Sequence, residues 1–354
     1  MSDRPRAIAR LDLDAFFAAV EALEHPNLAG KPVVVGGRPE ERGVVASASY
    51  PARAFGVRSA MPMSRALALC PQAIIVPPRH PLYSEYSRRV MAILRVASPL
   101  VEQISIDEAY LDLTDRAVIW QDAIQMARHI QHQVRDEVGL SASLGVATNK
   151  LVAKVASDRD KPGGLTVVPP GQEASFLAPL PVRVLWGVGP VMARRLAALG
   201  ITTVGHLAAL PEEELRQRFG QQGEAMAHQA RGIDRRTVVT EHKIKSISQE
   251  RTFSRDLVDA GAMEQHLHRM SQKVAHQLKR KELAAGTVAI KVRYADFTTF
   301  TRQTTIAVPT DDEELIFQAA RTLLERARQR GRAVRLLGVA ARRLTPPPGQ
   351  LQLL

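Results

Sequence analysis

Cysteine is nearly absent: Cys70 is the only one in 354 residues. A lone thiol excludes an intrachain disulfide and a zinc site built from cysteines. It fits a reducing compartment, and the expected location is the cytoplasm. No apolar run approaches the roughly 20 residues of a helical membrane span. The opening stretch Met1-Ser2-Asp3-Arg4-Pro5-Arg6 is polar and lacks the apolar core of a secretory signal. No Gly-x-x-x-x-Gly-Lys-Ser/Thr loop occurs, so phosphate binding here is not of the P-loop kind.

Acidic residues are also scarce. The chain has 36 Asp and Glu against 48 Lys and Arg, a formal charge of +12. That balance suggests a polyanionic partner, either nucleic acid or an acidic membrane surface, and the lack of a membrane segment favours nucleic acid. The excess is uneven: residues 244–345 hold 19 basic and 11 acidic side chains, eight of the twelve net charges. A concentrated excess points to a docking surface, where a uniform one would serve solubility. The length allows about two to four domains with real cores. Contents of 45% hydrophobic and 24% charged are ordinary for a soluble globular protein.

Where acids do crowd, they fall at strand ends. In Ser105-Ile106-Asp107-Glu108-Ala109-Tyr110-Leu111-Asp112 the pattern predicts strands from Val101 to Ile106 and from Tyr110 to Leu113, with Asp107 and Glu108 at or beside the turn. Adjacent carboxylates repel, so a fold that crowds them usually brings a cation. Neighbours on an extended segment point to opposite faces, so adjacency alone makes no shared site. A third carboxylate must come from elsewhere, and Asp12 is the candidate, in Leu11-Asp12-Leu13-Asp14 at the end of a strand over 7–13. Alone, an Asp-Glu pair is also simply a polar turn.

Taken together, Leu-Asp-Leu-Asp-Ala-Phe-Phe-Ala-Ala-Val-Glu (11–21) and Ser-Ile-Asp-Glu-Ala-Tyr-Leu-Asp (105–112) resemble the signature of the Y-family DNA polymerases, most closely the DinB, or DNA polymerase IV, branch. The likeness runs through nearly the whole chain, with separate motifs agreeing in order and spacing. It implies an α+β, right-hand-like polymerase. The palm would be 1–15 and 81–168, small fingers 16–80, a helical thumb 169–236, a linker 237–245, a little finger 246–345 and a clamp-binding tail 346–354. The implied activity is error-prone, lesion-bypassing, template-directed DNA synthesis. Its partners would be primer-template DNA and deoxynucleoside triphosphates, with no membrane and nothing that demands more than a monomer. The implied cofactor is Mg²⁺, two ions held by Asp12, Asp107, Glu108 and the Leu13 carbonyl. A different two-metal nucleotidyl-transfer enzyme, such as a nucleotidyl cyclase, could share a palm but would not need a DNA-gripping thumb. A non-catalytic DNA-binding scaffold would not need the three acids together. Another lesion-bypass branch of the family is the nearest rival.

A helix is predicted over 15–24. Phe17 matches the steric-gate position, where a flat ring under the sugar leaves no room for a 2′-hydroxyl, and Phe16 reads as core. Amides near Ala15 and Phe16 could donate to phosphate at the helix start. Strands are predicted at 33–35 and 44–49. Tyr50 and Arg53 match the family's triphosphate-holding pair, although Pro51 stands where an acidic residue is common. Arg suits the task through its planar, two-donor fork. Ala46, Ser47, Ala48, Ser49, Ser59 and Ala60 leave little bulk against a nascent base pair.

A helix over 81–97 buries Tyr83, Tyr86, Val90, Ile93, Leu94 and Ala97. Another over 119–138 buries Ile119, Ala123, Met126, Ala127, Ile130 and Val134. After a strand at 140–146, Thr148 or Asn149 caps the next helix. Lys150 and Lys154 read as solvated charges, and Lys161 matches the family's triphosphate-binding lysine. Asp14 and Asp112 read as structural or supporting acids.

Residues 170–236 read as all-helical. Gly187-Val188-Gly189, with Pro190 opening the next helix, resembles the turn of a helix-hairpin-helix, whose outward N–H groups grip a DNA phosphate. Read alone, it is a plain connector. From 246 the pattern is β-α-β-β-α-β: 246–253, 261–282, 287–294, 299–307, 311–330 and 334–344. In 287–294, Val288, Ile290, Val292 and Tyr294 should pack on the helices, leaving Lys291 and Arg293 for the phosphate backbone. After three prolines, Gln350, Leu351, Leu353 and Leu354 resemble the peptide by which bacterial polymerases bind the sliding clamp.

Overall fold

The computed structural model describes residues 4–329 and 331–347. The tail residues Gln350, Leu351, Leu353 and Leu354 lie outside the described residues. The chain divides into two units: Met1–Gly36, Val45–Met61 and Arg65–Glu241, and Gly37–Val44, Pro62–Ser64 and His242–Leu354.

Up to 241 the elements run β1 (Ile8–Leu13), α1 (Phe16–Glu24), β2 (Val33–Gly36), β3 (Val45–Ala48), α2 (Tyr50–Ala54), α3 (Met63–Leu69), β4 (Ile74–Val76), α4 (His80–Ala97), β5 (Val101–Gln103), β6 (Glu108–Asp112), α5 (Trp120–Gln133), β7 (Ala142–Ala147), α6 (Lys150–Ser157) and β8 (Leu165–Val167). Then come short helices: α7 (Glu173–Leu177), α8 (Pro190–Ala197), α9 (Val204–Ala208), α10 (Glu212–Phe219) and α11 (Gln221–Ala230). Among the described residues the main sheet is ordered β5-β6-β1-β7-β8 and is antiparallel except between β7 and β8. A small sheet is ordered β3-β2-β4.

β1 lies at the centre of the main sheet and is buried along its whole length. Its period of two divides the chemistry. Ala9, Leu11 and Leu13 pack with Phe16, Tyr83, Leu94 and Ile130 of α1, α4 and α5. Ile8 joins a second core with Leu151, Val152 and Val155 of α6 and with Leu177, Leu196 and Met226 from the helical stretch. Arg10 and Asp12 share Ile8's side of the strand.

Three local expectations are corrected. β5 ends at Gln103 and β6 begins at Glu108, so Ile106 is not in a strand and the second strand starts two residues before Tyr110. Backbone bonds from Leu13 N–H to Asp107 O and from Ile104 N–H to Glu108 O fix that boundary. Ile119 is exposed rather than part of α5's buried stripe. It precedes the helix, and its N–H donates to the Asp122 carboxylate. The expected helix end at 138 is a π-helical turn, Val134–Val138.

The second unit contains β9 (Ser246–Leu257), α12 (Ala260–Arg280), β10 (Ala284–Tyr294), β11 (Thr299–Thr310), α13 (Glu313–Ala327) and β12 (Val334–Thr345). The order is the expected β-α-β-β-α-β, folded as an antiparallel sheet β11-β10-β12-β9. Asp259 and Asp312 cap α12 and α13 through the N–H groups of Ala262 and Leu315. Val288, Ile290, Val292 and Tyr294 pack against Leu267, Val274, Leu278 and Ile316. Among the described residues no helix is long and apolar enough to cross a membrane.

Candidate active site

The acids meet because β1 and β6 are neighbours. Asp12, at the end of β1, stands opposite Glu108, the first residue of β6. One step further on, Leu13 N–H donates to Asp107 O at 3.0 Å. Asp107 precedes the strand, so strand alternation does not turn it away from its neighbour Glu108. Asp12, Asp107 and Glu108 line one cavity with Leu13, Ala15, Phe16, Phe17, Tyr50, Arg53 and Lys161.

Two cations occupy the acids. Lys161 Nζ pairs with Asp12 Oδ1 and lies 3.1 Å from Asp158. Arg10 Nη2 is 2.9 Å from Asp12 Oδ2 and 2.8 Å from Glu108 Oε2. Burial opposes charge on Arg10, but Asp12 and Glu108 outweigh it and hold its pKa above the usual arginine value. Lys161 is raised in the same way, against burial, by Asp12 and then Asp158. Asp107 accepts a bond from the Ser105 hydroxyl. Among the described residues no group of three or more His, Cys, Asp or Glu side chains is gathered so as to hold a metal ion. The acids that line the cavity, Asp12, Asp107 and Glu108 beside the fully hydrogen-bonded Asp14, nonetheless offer only hard oxygen, which suits a small divalent cation.

The opposite wall is built from α1 and α2. Ala15 adopts a left-handed conformation (φ 48°) that turns β1 sharply into α1. Phe16 is core. Phe17 stacks on Tyr83 with ring centroids 4.1 Å apart and planes 12° from parallel. The Tyr83 hydroxyl donates to Glu21 at 2.6 Å, and Arg79 donates to the same carboxylate. Tyr83, expected to be buried in its helix, is fully buried and supports the Phe17 ring. Ser49 caps α2 through Ala52 N–H and also accepts from Val33 N–H. Pro51 sits in the first turn of that helix, where a missing N–H costs nothing. Arg53 Nε donates to Ala48 O, and its guanidinium lies 5.1 Å from the Tyr50 ring centre. Of the small residues, Ala46, Ser47 and Ser59 line the cavity.

Asp14 does more than its neighbourhood in sequence suggests. It accepts from the hydroxyls of Tyr50, Ser141 and Ser143 and from Gly163 N–H, tying α2, β7 and the Lys161 loop to the end of β1. Burial first, and then Asp14, push the Tyr50 phenol well above its usual pKa, so it stays a donor. Arg10 and Asp158 were missed. The signal for Arg10 was present, a charge two residues before Asp12 inside an apolar strand.

Lys150 is a correction: it is buried, pairs with Glu102 and lies 4.9 Å from the Tyr110 ring centre. Its partner lies 48 positions away, out of reach of local patterning. Lys154 is partly exposed and pairs with Asp158 at 3.2 Å.

Away from the cavity, Gly187 has φ 84° and Gly189 caps α8 from outside, with Pro190 first in the helix. Val188 is buried, and its N–H donates to Leu185 O instead of pointing outward. In the second unit, Lys291 and Arg293 lie on the sheet face away from the helices. Lys291 is already engaged: it reaches across Gly338 to Glu250 at 2.8 Å. Arg293 donates to the Thr299 hydroxyl.

Comparison with known proteins identifies the family. The impB/mucB/samB family matches residues 11–158, and the family's C-terminal domain matches 244–353. The DNA polymerase-iota thumb domain matches 183–234. A DNA polymerase IV of Dehalococcoides mccartyi (strain CBDB1) is 44% identical, covering 98% of this chain and 90% of the relative. That of Halorhodospira halophila is 45% identical over 96% of both. Among solved structures, a Y-family DNA polymerase chimera of Dbh and Dpo4 superposes with a TM-score of 0.87 at 28% identity, covering 96% of this chain and 99% of that one. DinB from Sulfolobus solfataricus gives 0.65 at 29% identity, covering 95% and 98%. The chain therefore belongs to the impB/mucB/samB family, the Y-family DNA polymerases of the DNA polymerase IV type.

Proposed function

We propose that Asp12, Asp107 and Glu108 form the catalytic centre of template-directed DNA synthesis across damaged templates. The observation that carries this reading is their convergence, from separate stretches of chain, on one cavity with Phe17, Tyr50, Arg53 and Lys161. The three acids and the Leu13 carbonyl would hold the divalent cations, with two Mg²⁺ the expected complement. When bound, these supply a lowered pKa at the primer 3′-hydroxyl and offset charge on the departing pyrophosphate. Arg53 and Lys161 present positive charge to the triphosphate, and Tyr50 presents a donor hydroxyl. Lys161 exchanges its pairing with Asp12 for phosphate oxygens. The first N–H groups of α1, after Ala15, add donors. Phe17, backed by Tyr83, closes the space a 2′-hydroxyl would need. Small side chains at Ala46, Ser47 and Ser59 leave shape selection weak, which fits tolerance of damaged bases.

In this reading the palm comprises 1–15 and 81–168, the fingers 16–80, the thumb 169–236, the linker 237–245 and the little finger 246–345. In the thumb, Gly187 and Gly189 hold a backbone phosphate, while Val188, buried and bonded to Leu185 O, keeps their turn in shape. Lys291 and Arg293, beside the small floor of Ala289 and Gly338, meet phosphates in the little finger. Gln350, Leu351, Leu353 and Leu354 bind the sliding clamp. Deleting 350–354 should abolish stimulation by the clamp and spare unassisted synthesis.

The decisive test is primer extension with Mg²⁺ by the parent and by Asp107→Asn. Turnover should fall at least about 10³-fold in the variant while primer-template affinity stays within about twofold. Normal extension by Asp107→Asn would remove the assignment. A parent that binds DNA but never extends a primer would make the chain a scaffold.

A further inference from the structure

Arg10 meets the acids from outside the set of residues that line the cavity. In the sheet it stands level with Tyr110 of β6 and Gly145 of β7. Helix α6 lies directly over Gly145, where a Cβ would come within 2.1 Å of Ala153 O and 2.4 Å of Ser157 N. The guanidinium therefore ends beneath the last turn of α6. There it donates through Nη1 to the Ser157 hydroxyl and lies 3.8 Å from Asp158. Its Nη2 spans Asp12 and Glu108, at 2.9 and 2.8 Å. The side chain is 4% exposed. The residues lining the cavity include Asp12 and Glu108 but not Arg10.

We infer that Arg10 is a positioning residue, a fixed counter-charge behind Asp12 and Glu108 that sets their separation and limits how tightly the site takes a divalent cation. This rests on the reading of those acids as cation ligands. A guanidinium keeps its proton at any working pH, and its flat fork fixes direction as well as distance. One Nη2 holds Asp12 Oδ2 and Glu108 Oε2, which leaves the partner oxygens directed elsewhere. Lys161 differs in kind: it lines the cavity and its side chain is 23% exposed, so it can leave Asp12 when phosphate arrives. Arg10, enclosed by α6 and the sheet, cannot. A permanent positive charge this close to two ligands opposes uptake of another cation. Without it the carboxylates would attract the ion more strongly but would lose the spacing that turnover needs.

The test is Mn²⁺ binding to the full-length, nucleotide-free protein, read as free Mn²⁺ by electron paramagnetic resonance, alongside single-nucleotide insertion kinetics. Arg10→Met, which keeps much of the length without the charge, should bind Mn²⁺ about tenfold more tightly. A loosened fold would weaken binding, so the direction separates the two causes. Unchanged or weaker binding in a folded Arg10→Met would overturn the inference. Arg10→Lys keeps the charge but not the fork. It should bind Mn²⁺ within about twofold of the parent, and its kcat should fall about tenfold with little change in the nucleotide KM. A parental kcat in Arg10→Lys would overturn the positioning role, and this variant stands as the test if Arg10→Met does not fold. Asp12→Asn is the control. If it binds Mn²⁺ as the parent does, the reading of the acids as ligands fails and takes the inference with it. If it loses Mn²⁺ while Arg10→Met is unchanged, only the role of Arg10 fails.

Discussion

The ring of Phe17 is held by a short relay: it lies on Tyr83, Tyr83 donates to Glu21, and Glu21 is also held by Arg79. Truncating the ring opens the space beneath the sugar. Phe17→Ala should raise the kcat/KM ratio for ribonucleotide over deoxyribonucleotide by about 10²-fold, the scale at which a shaped apolar contact discriminates. Single-nucleotide insertion with matched pairs of triphosphates measures it, and an unchanged ratio would take Phe17 out of this role. Glu21 also carries a pH signature. Burial works to raise its pKa, but bonds from Arg79 and Tyr83 hold it below the ordinary 4.5. A carboxylate depressed in the fold stabilises above its unfolded-state pKa and loses that contribution as pH falls through the lower folded value. The melting temperature should therefore drop below about pH 4.5, and Glu21→Gln should flatten that part of the drop. Parallel curves for the two proteins would argue against it. At this scale, legibility in the sequence was divided. Asp12, Asp107, Glu108 and Phe17 announce themselves through neighbouring residues of fixed type. Arg10 shows only as a charge inside an apolar strand and Lys150 not at all, because each gains its meaning from a partner that only the folded chain brings near.

Helix α6 shows how an element positions a site. It is close-packed on β7 because Gly145 has no side chain, and the nearest atoms to an added methyl would be backbone, which cannot swing aside. Gly145→Ala should cost about 1–3 kcal/mol in chemical denaturation and lift α6 off Arg10. Full stability in that variant would mean the helix can ride higher without loss. The start of the same helix is tied twice by Asn149, which accepts from Val152 N–H and donates to Gly232 O. Asn149→Ala should lower stability by roughly 1 kcal/mol or more, since both a cap and a long-range bond are lost. Elements with a clean period were legible: β1, α4 and all six elements of the C-terminal unit. Boundaries set by hydrogen bonds to a distant strand were not. The end of β5 and the start of β6 depend on bonds that no window of local sequence contains.

Across the whole chain the charge is the broadest signal, and the structure refines it. Lys291 is shared with Glu250 over Gly338, so the little finger's open sheet face offers less free positive charge than the count of residues implies. Glu250→Gln should strengthen binding to primer-template DNA about threefold at low salt, and Lys291→Ala should reduce the slope of log affinity against log salt by up to about one. Fluorescence anisotropy over a salt series decides both, and parental slopes in Lys291→Ala would place the DNA elsewhere. The β-α-β-β-α-β order after residue 246 was legible because each of those elements carries its own period. The pairing of β1 with β6 was foreseen only as a need for a third carboxylate. That same strand shows chemistry to α6 through Arg10 and Asp12 and oil to the other core through Ala9, Leu11 and Leu13. Adding or dropping one residue ahead of Asp12 would swap the two sets wholesale. Over evolutionary time β1 is thus free to trade side chains but not to change length, and insertions or deletions among descendants should collect in the loops instead.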